Sequence, residues 1–132
     1  MNDELNRNDF RKAVFERDGY RCVVCGTEAE YDDKGNVTNL DAHHILERRL
    51  FKPNGSGYIL DNGASLCHKH HIEAEQTILG CDEIRKLCGI ERVVLPSQLY
   101  EGVEYDKWGN EILRNGTRLK GELFNDESVQ KV

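Results

Sequence analysis

Most of the cysteines of this chain are spaced in the way that metal binding requires. Cys22 and Cys25 form a CxxC pair, and Cys67 and His70 form a CxxH pair. Zinc prefers four tetrahedral thiolate or imidazole ligands, and a two-residue gap allows one turn to present both ligands of a pair to the same ion. The two pairs therefore predict one structural zinc site.

The fourth zinc ligand is open to choice, because three histidines follow Cys67 closely. The candidates are His68, His70 and His71, and of these His70 has the CxxH spacing from Cys67. The remaining cysteines, Cys81 and Cys88, have no CxxC partner. We expect these two residues to be thiols of the hydrophobic core.

A second group of polar residues lies between and beside the zinc pairs. All five histidines fall between positions 43 and 71, with His43 and His44 adjacent and Asn62 between them and Cys67. A neutral imidazole can act as a general base near pH 7 and can also ligate a metal. These residues therefore indicate a reactive site next to the zinc.

The composition limits the core and indicates the compartment. The chain has 132 residues, of which 38% are hydrophobic and 32% are charged, so we expect one small domain with a polar surface. A bound metal would add stability that so small a core lacks. The first ten residues contain no apolar run. We therefore expect no signal peptide, no membrane segment and a reducing cytoplasm in which cysteines stay free.

The charge of the chain argues mildly against nucleic-acid binding. The net charge is −6 and the pI is about 5.4, whereas phosphate binders usually present a basic face. Two basic groups nevertheless flank the candidate site, namely Arg48, Arg49 and Lys52, and Arg7, Arg11, Lys12, Arg17 and Arg21. The first group is compatible with a solvated loop or with a phosphate clamp. We expect weak unassisted affinity for DNA.

Short elements must position these residues. We expect a helix after a cap at Asn8 or Asp9, because apolar residues recur there at the i, i+3, i+4 spacing of a buried face. The other expected elements are a strand at 37–45, a strand at 64–66, a helix at 70–79 ended by Gly80, and a helix capped by Asp82 and closed by Gly89.

The two adjacent histidines set a geometric condition. Neighbouring residues on a regular strand point to opposite faces, so His43 and His44 can serve one site only if the strand ends or bulges there. A strand end at Ile45 would meet this condition. Without it, His43 would be a packed or surface histidine.

Four motifs occur at characteristic spacing in this part of the chain: the lead-in from Phe10 to Cys22, Asp41-Ala42-His43-His44-Ile45, Asp61-Asn62-Gly63 and Cys67-x-x-His70-His71. Their order and spacing resemble those of the HNH endonuclease family. The resemblance covers about residues 9–80, and many relatives have cysteine where His70 stands, although either residue can ligate zinc.

The resemblance implies an α+β fold of the ββα-metal kind. A two-stranded ribbon and a helix would surround one catalytic metal, with a structural zinc as a staple, flanking helices and an irregular C-terminal extension. Residues 1–95 would form the HNH nuclease domain, and residues 96–132 would be an extension or interaction segment.

The resemblance also implies a role for each site residue. His44 would be the general base, and Asn62 would brace the loop that orients it. His43 and His71 would hold the catalytic metal. Glu75, one helical turn after His71, would be a third ligand or would reach the metal through water. Two imidazoles favour Mn²⁺, Ni²⁺ or Zn²⁺, whereas ligation by Glu75 would favour Mg²⁺.

The implied function is metal-dependent hydrolysis of DNA, by nicking or by double-strand cleavage, in a bacterial or phage-infected cell. Two alternatives stay open. One is a ribonuclease using the same site, because this hydrolysis needs no 2′-hydroxyl. The other is a non-catalytic, zinc-stabilised module that binds nucleic acid or protein, although a base and two metal ligands count against it. A protein partner or a homodimer would supply specificity.

Overall fold

The computed structural model describes residues 4–53 and 55–123, which form three α-helices and two small antiparallel sheets. The α+β class expected from the sequence is therefore confirmed. The elements in chain order are α1 (Arg7–Arg17), β1 (Leu40–His44), β2 (Gly63–Cys67), α2 (His68–Glu75), α3 (Cys81–Cys88), β3 (Glu111–Ile112) and β4 (Arg118–Leu119), with short 3₁₀ turns at Arg48–Phe51 and Leu60–Asn62.

Helix α1 begins earlier than the sequence predicts. Its N-cap is Asn6, whose side-chain oxygen accepts the N–H of Asp9 at 2.8 Å. The expectation of a cap at Asn8 or Asp9 is therefore wrong, because the Asn6 side chain accepts one of the N–H groups of the first turn that have no partner within the helix. The helix ends at Arg17, before Asp18-Gly19, and it buries Phe10 on the ribbon side.

Strands β1 and β2 pair along their whole length and form the ribbon that carries the site. Leu40 lies opposite Cys67 at one end, and His44 lies opposite Gly63 at the other. A Cβ atom on Gly63 would come within 2.5 Å of the Val14 side chain, so glycine allows α1 to pack closely on the ribbon. Strand β1 is shorter than the predicted 37–45, since Val37 pairs with Tyr31 instead.

Helix α2 follows β2 without a loop. It begins at His68 and ends at Glu75, so the predicted bounds 70–79 are wrong at both ends. Thr77 has a positive φ of 61°, which ends the helix before Gly80. Helix α3 is capped by Gly80 and closed by Gly89, whereas Asp82 lies within the first turn and pairs with Arg85.

The hydrophobic core lies between α1, the ribbon and α3. Cys81 is buried in it and Cys88 is packed partly against it, as expected of core thiols, and burial raises the pKa of Cys81 to about 11. None of the helices in the described part combines the length and the apolar composition that crossing a bilayer requires.

Part of the predicted C-terminal extension is folded against this core. Residues 106–110 form a buried turn in which the Asp106 carboxylate accepts the N–H groups of Trp108 and Asn110 at 2.9 and 3.0 Å. The hairpin of β3 and β4 follows this turn. Residues 124–132 of the extension lie outside the described residues, and the boundary at residue 95 stays a prediction.

Candidate metal centres and the pocket beside them

The four residues predicted to bind zinc come together in the structure. The candidate ligand atoms of Cys22, Cys25, Cys67 and His70 all lie within 4.8 Å of one another. The Nδ1 atom of His70 is 3.2 Å from the Cys67 sulfur and 3.7 Å from the Cys22 sulfur. Three thiols and one imidazole at these distances could hold a metal such as zinc.

Local structure explains how each pair is presented. Gly26, with a positive φ of 76°, closes the turn after Cys25 by donating its N–H to the Cys22 carbonyl. Cys67 ends β2, and His70 lies in the first turn of α2. Hydrogen bonds from Thr27 lower the pKa of the Cys25 thiol to about 6, which favours the thiolate that metals bind.

The start of α2 at His68 separates the three competing histidines. His70 lies among the thiols, whereas His71, the next residue on the helix, belongs to a second cluster. His68 is exposed to solvent and is part of neither cluster. One turn of helix therefore supplies candidate ligands to two different clusters.

The second cluster consists of His43, His71 and Glu75, whose candidate ligand atoms also lie within 4.8 Å of one another. Glu75 Oε1 is 3.1 Å from His71 Nε2 and 3.7 Å from His43 Nδ1. His43 comes from β1, and the other two residues lie one turn apart on α2. Two imidazoles and a carboxylate form a suitable donor set for a divalent metal ion.

The surroundings of His43 are also suited to a metal ligand. The residue is only 2% exposed, and among the described residues neither of its ring nitrogens has a hydrogen-bond partner. Buried polar atoms without partners are costly and rare. Burial, with the charge of Lys107, places the pKa of His43 well below its ordinary value. The ring is therefore neutral at pH 7, which is the form that ligates a metal.

Asp41 orients the second imidazole. Its Oδ2 atom is 3.2 Å from His71 Nδ1, which leaves Nε2 of the same ring facing Glu75. A carboxylate in this position fixes the ring and increases its strength as a ligand. The hydrogen bonds to Asp41 and then to Glu75 raise the pKa of His71 to about 9. Sequence reasoning gave Asp41 no role of its own.

His44 and the second cluster share one pocket of about 380 Å³. Both adjacent histidines can line it because β1 ends at His44, which meets the condition set by the sequence. The His44 ring stacks on Phe10 at 4.6 Å, and Tyr58 contacts it edge-on at 5.0 Å. Burial lowers the pKa of His44 to about 4, so this ring too is neutral at pH 7.

Asn62 is outside the pocket lining and is 1% exposed. Its Oδ1 atom accepts the N–H of Leu46, and its Nδ2 group donates to the carbonyls of Leu46 and Gly57. Its own carbonyl accepts the N–H of Ile45 at 2.8 Å. These contacts hold the segment that follows His44, which is the position that a bracing residue requires.

Lys107 and Glu47 also line the pocket, and sequence reasoning missed both. Lys107 Nζ donates to the His44 carbonyl at 3.0 Å and lies 3.5 Å from Glu47 Oε2 and 3.7 Å from Glu75 Oε1. The sequence does contain one indication of a turn at Lys107, because the pattern Y-D-x-x-G-N occurs at residues 31–36 and again at 105–110. The repeated pattern indicates a turn but not its place in the fold.

The basic residues near the site divide into two kinds. Arg7, Arg11 and Arg48 line the pocket and could contact phosphate. Arg17 instead donates to the carbonyls of Leu60 and Gly63 at 2.9 and 2.6 Å and pairs with its neighbour in sequence. Its role is to join α1 to the ribbon.

Comparison with protein-family models, with curated proteins and with solved structures finds no match to this chain. The chemistry of the two clusters and of the pocket is therefore the basis for a functional assignment.

Proposed function

We propose that this protein is a metal-dependent endonuclease of the HNH type that hydrolyses DNA phosphodiester bonds. The observation that carries the proposal is that His44 lines the same pocket as His43, His71 and Glu75. Phosphodiester hydrolysis needs a base for the attacking water and positive charge at the phosphate. A neutral imidazole and a candidate divalent site in one pocket can meet these two needs.

The order of the elements also supports the proposal. Strands β1 and β2 form an antiparallel ribbon, and α2 follows directly with two of the three candidate ligands of the second cluster. A ββα-metal fold would have its elements in this order, which supports the proposal. We assign the cluster of three cysteines and His70 as a structural zinc site that holds the N-terminal turn against the ribbon.

The residues of the pocket would act as follows. His44 accepts the proton of the attacking water, and Phe10 and Tyr58 keep its ring in place. Asn62 fixes the backbone beyond the base. A divalent ion held by the second cluster would stabilise negative charge on the phosphate and on the leaving 3′ oxygen. The arginines at the pocket would bind the phosphates on either side.

DNA is the proposed substrate, and RNA is tested beside it because both present the same phosphates to the pocket. The arginines that line the pocket are few and the chain carries a net charge of −6. We therefore expect a protein partner or a homodimer to contribute to specificity.

The decisive experiment measures cleavage of supercoiled plasmid and of structured RNA, with and without added Mn²⁺. His44→Ala should reduce the rate by about a hundredfold to ten-thousandfold, which is the usual contribution of a general base. His68→Ala is the matched control, because His68 is exposed and belongs to neither cluster. It should cleave like the wild type.

Two results would contradict the proposal. Wild-type rates in the His44→Ala protein would remove His44 as the base. Absence of DNA cleavage by the wild type with every divalent metal would favour the ribonuclease if RNA is cleaved, and the binding module if RNA is not cleaved. Such a module needs only the cluster of Cys22, Cys25, Cys67 and His70, which we call the first cluster. It gains nothing from a buried His43 whose ring nitrogens lack partners in the described structure.

A further inference from the structure

Lys107 and two candidate metal ligands, His43 and His71, lie around the same carboxylate oxygen of Glu75. Three nitrogen atoms surround Glu75 Oε1, namely His71 Nε2 at 3.1 Å, His43 Nδ1 at 3.7 Å and Lys107 Nζ at 3.7 Å. An imidazole in its neutral form has a lone pair that can ligate a metal, whereas an ammonium group has only donors. Lys107 is therefore a positive charge beside the second cluster that cannot itself hold the ion.

The position of this charge is closely fixed. The Lys107 side chain is only 5% exposed, and its ammonium also bonds the His44 carbonyl and lies near Glu47. The centre of the Trp108 ring is 4.9 Å from the Lys107 ammonium. The Nε1 group of Trp108 donates to the Glu75 backbone carbonyl at 2.9 Å. The Lys107 carbonyl accepts the N–H of Glu47 at 2.9 Å. The turn at residues 106–110 thus joins the end of β1 to the end of α2.

We propose that Lys107 acts through the Glu75 carboxylate, beside which its ammonium lies, and keeps the affinity of the cluster of His43, His71 and Glu75 for a divalent ion low. The inference rests on the proposed function only in that the second cluster binds a divalent ion. It concerns affinity, which is measured separately from cleavage.

The proposed role and a purely structural role predict opposite changes in ion affinity when Lys107 is replaced. An ion bound to Glu75 would lie within a few ångströms of the Lys107 ammonium, where repulsion between charges in a partly buried site is strong. Removing the ammonium removes this repulsion, so the ion should bind more tightly. If Lys107 only stabilised the fold, its removal would loosen Glu75 and the ion would bind more weakly.

The test is calorimetric titration of the zinc-loaded protein with Mn²⁺. Lys107→Met keeps an unbranched side chain over Trp108 and removes the ammonium and its charge, and it should lower the Kd for Mn²⁺ by about tenfold or more. Lys107→Arg keeps the charge and should bind Mn²⁺ with nearly wild-type affinity. Lys34→Met is the matched control, since Lys34 is exposed in the related turn at residues 31–36, and it should leave the Kd unchanged.

Other measurements complete the test. Glu75→Gln should weaken Mn²⁺ binding strongly, and an unchanged Kd in that variant would place the ion elsewhere and overturn the inference. A folded Lys107→Met protein that binds Mn²⁺ with wild-type or weaker affinity would overturn it as well. If the Met variant does not fold, Lys107→Gln carries the same expectation and the same contrary result.

The inference and the proposed function can fail separately. Tighter Mn²⁺ binding in the Lys107→Met protein, with no DNA cleavage by the wild type, would support the inference and contradict the function. Absence of Mn²⁺ binding in both the wild type and the Met variant would overturn the inference.

Discussion

The side-chain amide of Asn62 pairs with both backbone polar groups of Leu46. Its Oδ1 atom accepts the Leu46 N–H at 3.0 Å, and its Nδ2 group donates to the Leu46 carbonyl at 3.1 Å. All of these atoms are buried, so no other group can easily replace the amide. The pairing fixes the chain two residues after His44 without placing Asn62 in the pocket.

We predict that Asn62→Ala lowers both stability and cleavage. Truncation leaves the Leu46 backbone groups buried without a side-chain partner, which should lower the free energy of unfolding by about 1–3 kcal/mol. Urea denaturation followed by circular dichroism measures this change. Asn115→Ala is the control, because Asn115 is exposed and accepts only a local bond from Thr117 among the hydrogen bonds of the described residues. Equal denaturation midpoints for the wild type and Asn62→Ala would contradict the bracing role.

Replacement of a candidate zinc ligand should remove the metal and much of the fold. Cys22→Ser or Cys67→Ser deletes one of four ligands, and ligand loss removes binding energy that is coupled to folding. Metal analysis together with circular dichroism checks this result. Cys88→Ser should keep the metal, because Cys88 lies outside the cluster. A folded wild-type protein without tightly bound zinc would refute the assignment.

Asp41→Asn should weaken the second metal centre without stopping the chemistry. The Asp41 carboxylate orients His71, and loss of such a partner typically lowers metal affinity by about 10-fold to 100-fold. The Mn²⁺ concentration that gives half-maximal cleavage should rise accordingly, while the rate at saturating Mn²⁺ stays near that of the wild type. Asp33→Asn, an exposed acid in the turn at residues 31–36, should leave this concentration unchanged. An unchanged value in Asp41→Asn would show that His71 needs no carboxylate to bind the ion.

Mild chelation should abolish cleavage without unfolding the chain. The first cluster has four ligands, three of them thiols, and should retain zinc, whereas the second has three ligands and opens onto the pocket. Mn²⁺ or Ni²⁺ should restore activity at least as well as Mg²⁺, because two of the ligands are imidazoles and Mg²⁺ prefers oxygen. Activity that survives removal of every metal except the tightly bound zinc would disprove the need for a second ion.

Several features of the site could be predicted from local sequence alone. The CxxC and CxxH spacings place each pair of ligands in one turn, and the structure brings the two pairs together. The four-residue interval between His71 and Glu75 places them on one face of a helix, and their side chains lie 3.1 Å apart. Such features depend on backbone geometry over a few residues, which residue types and their spacing largely determine.

Other features depend on contacts between distant parts of the chain. Strand β2 runs as far as Cys67 because Cys67 pairs with Leu40, and helix α2 then begins at His68. This start directs His70 and His71 to different candidate clusters, which their spacing from Cys67 alone left open. The local periodicity of a sequence does not predict which distant residues will pair with the end of a strand.

The place of Lys107 was decided only by the tertiary structure. It lies 63 residues from His44 in a polar, turn-rich segment, where a lysine would ordinarily be exposed to solvent. Its burial depends on the aromatic ring of Trp108 and on the carboxylates of Glu47 and Glu75, which come from separate parts of the chain. A buried charge is stable only where such partners converge, and their convergence is a property of the complete fold.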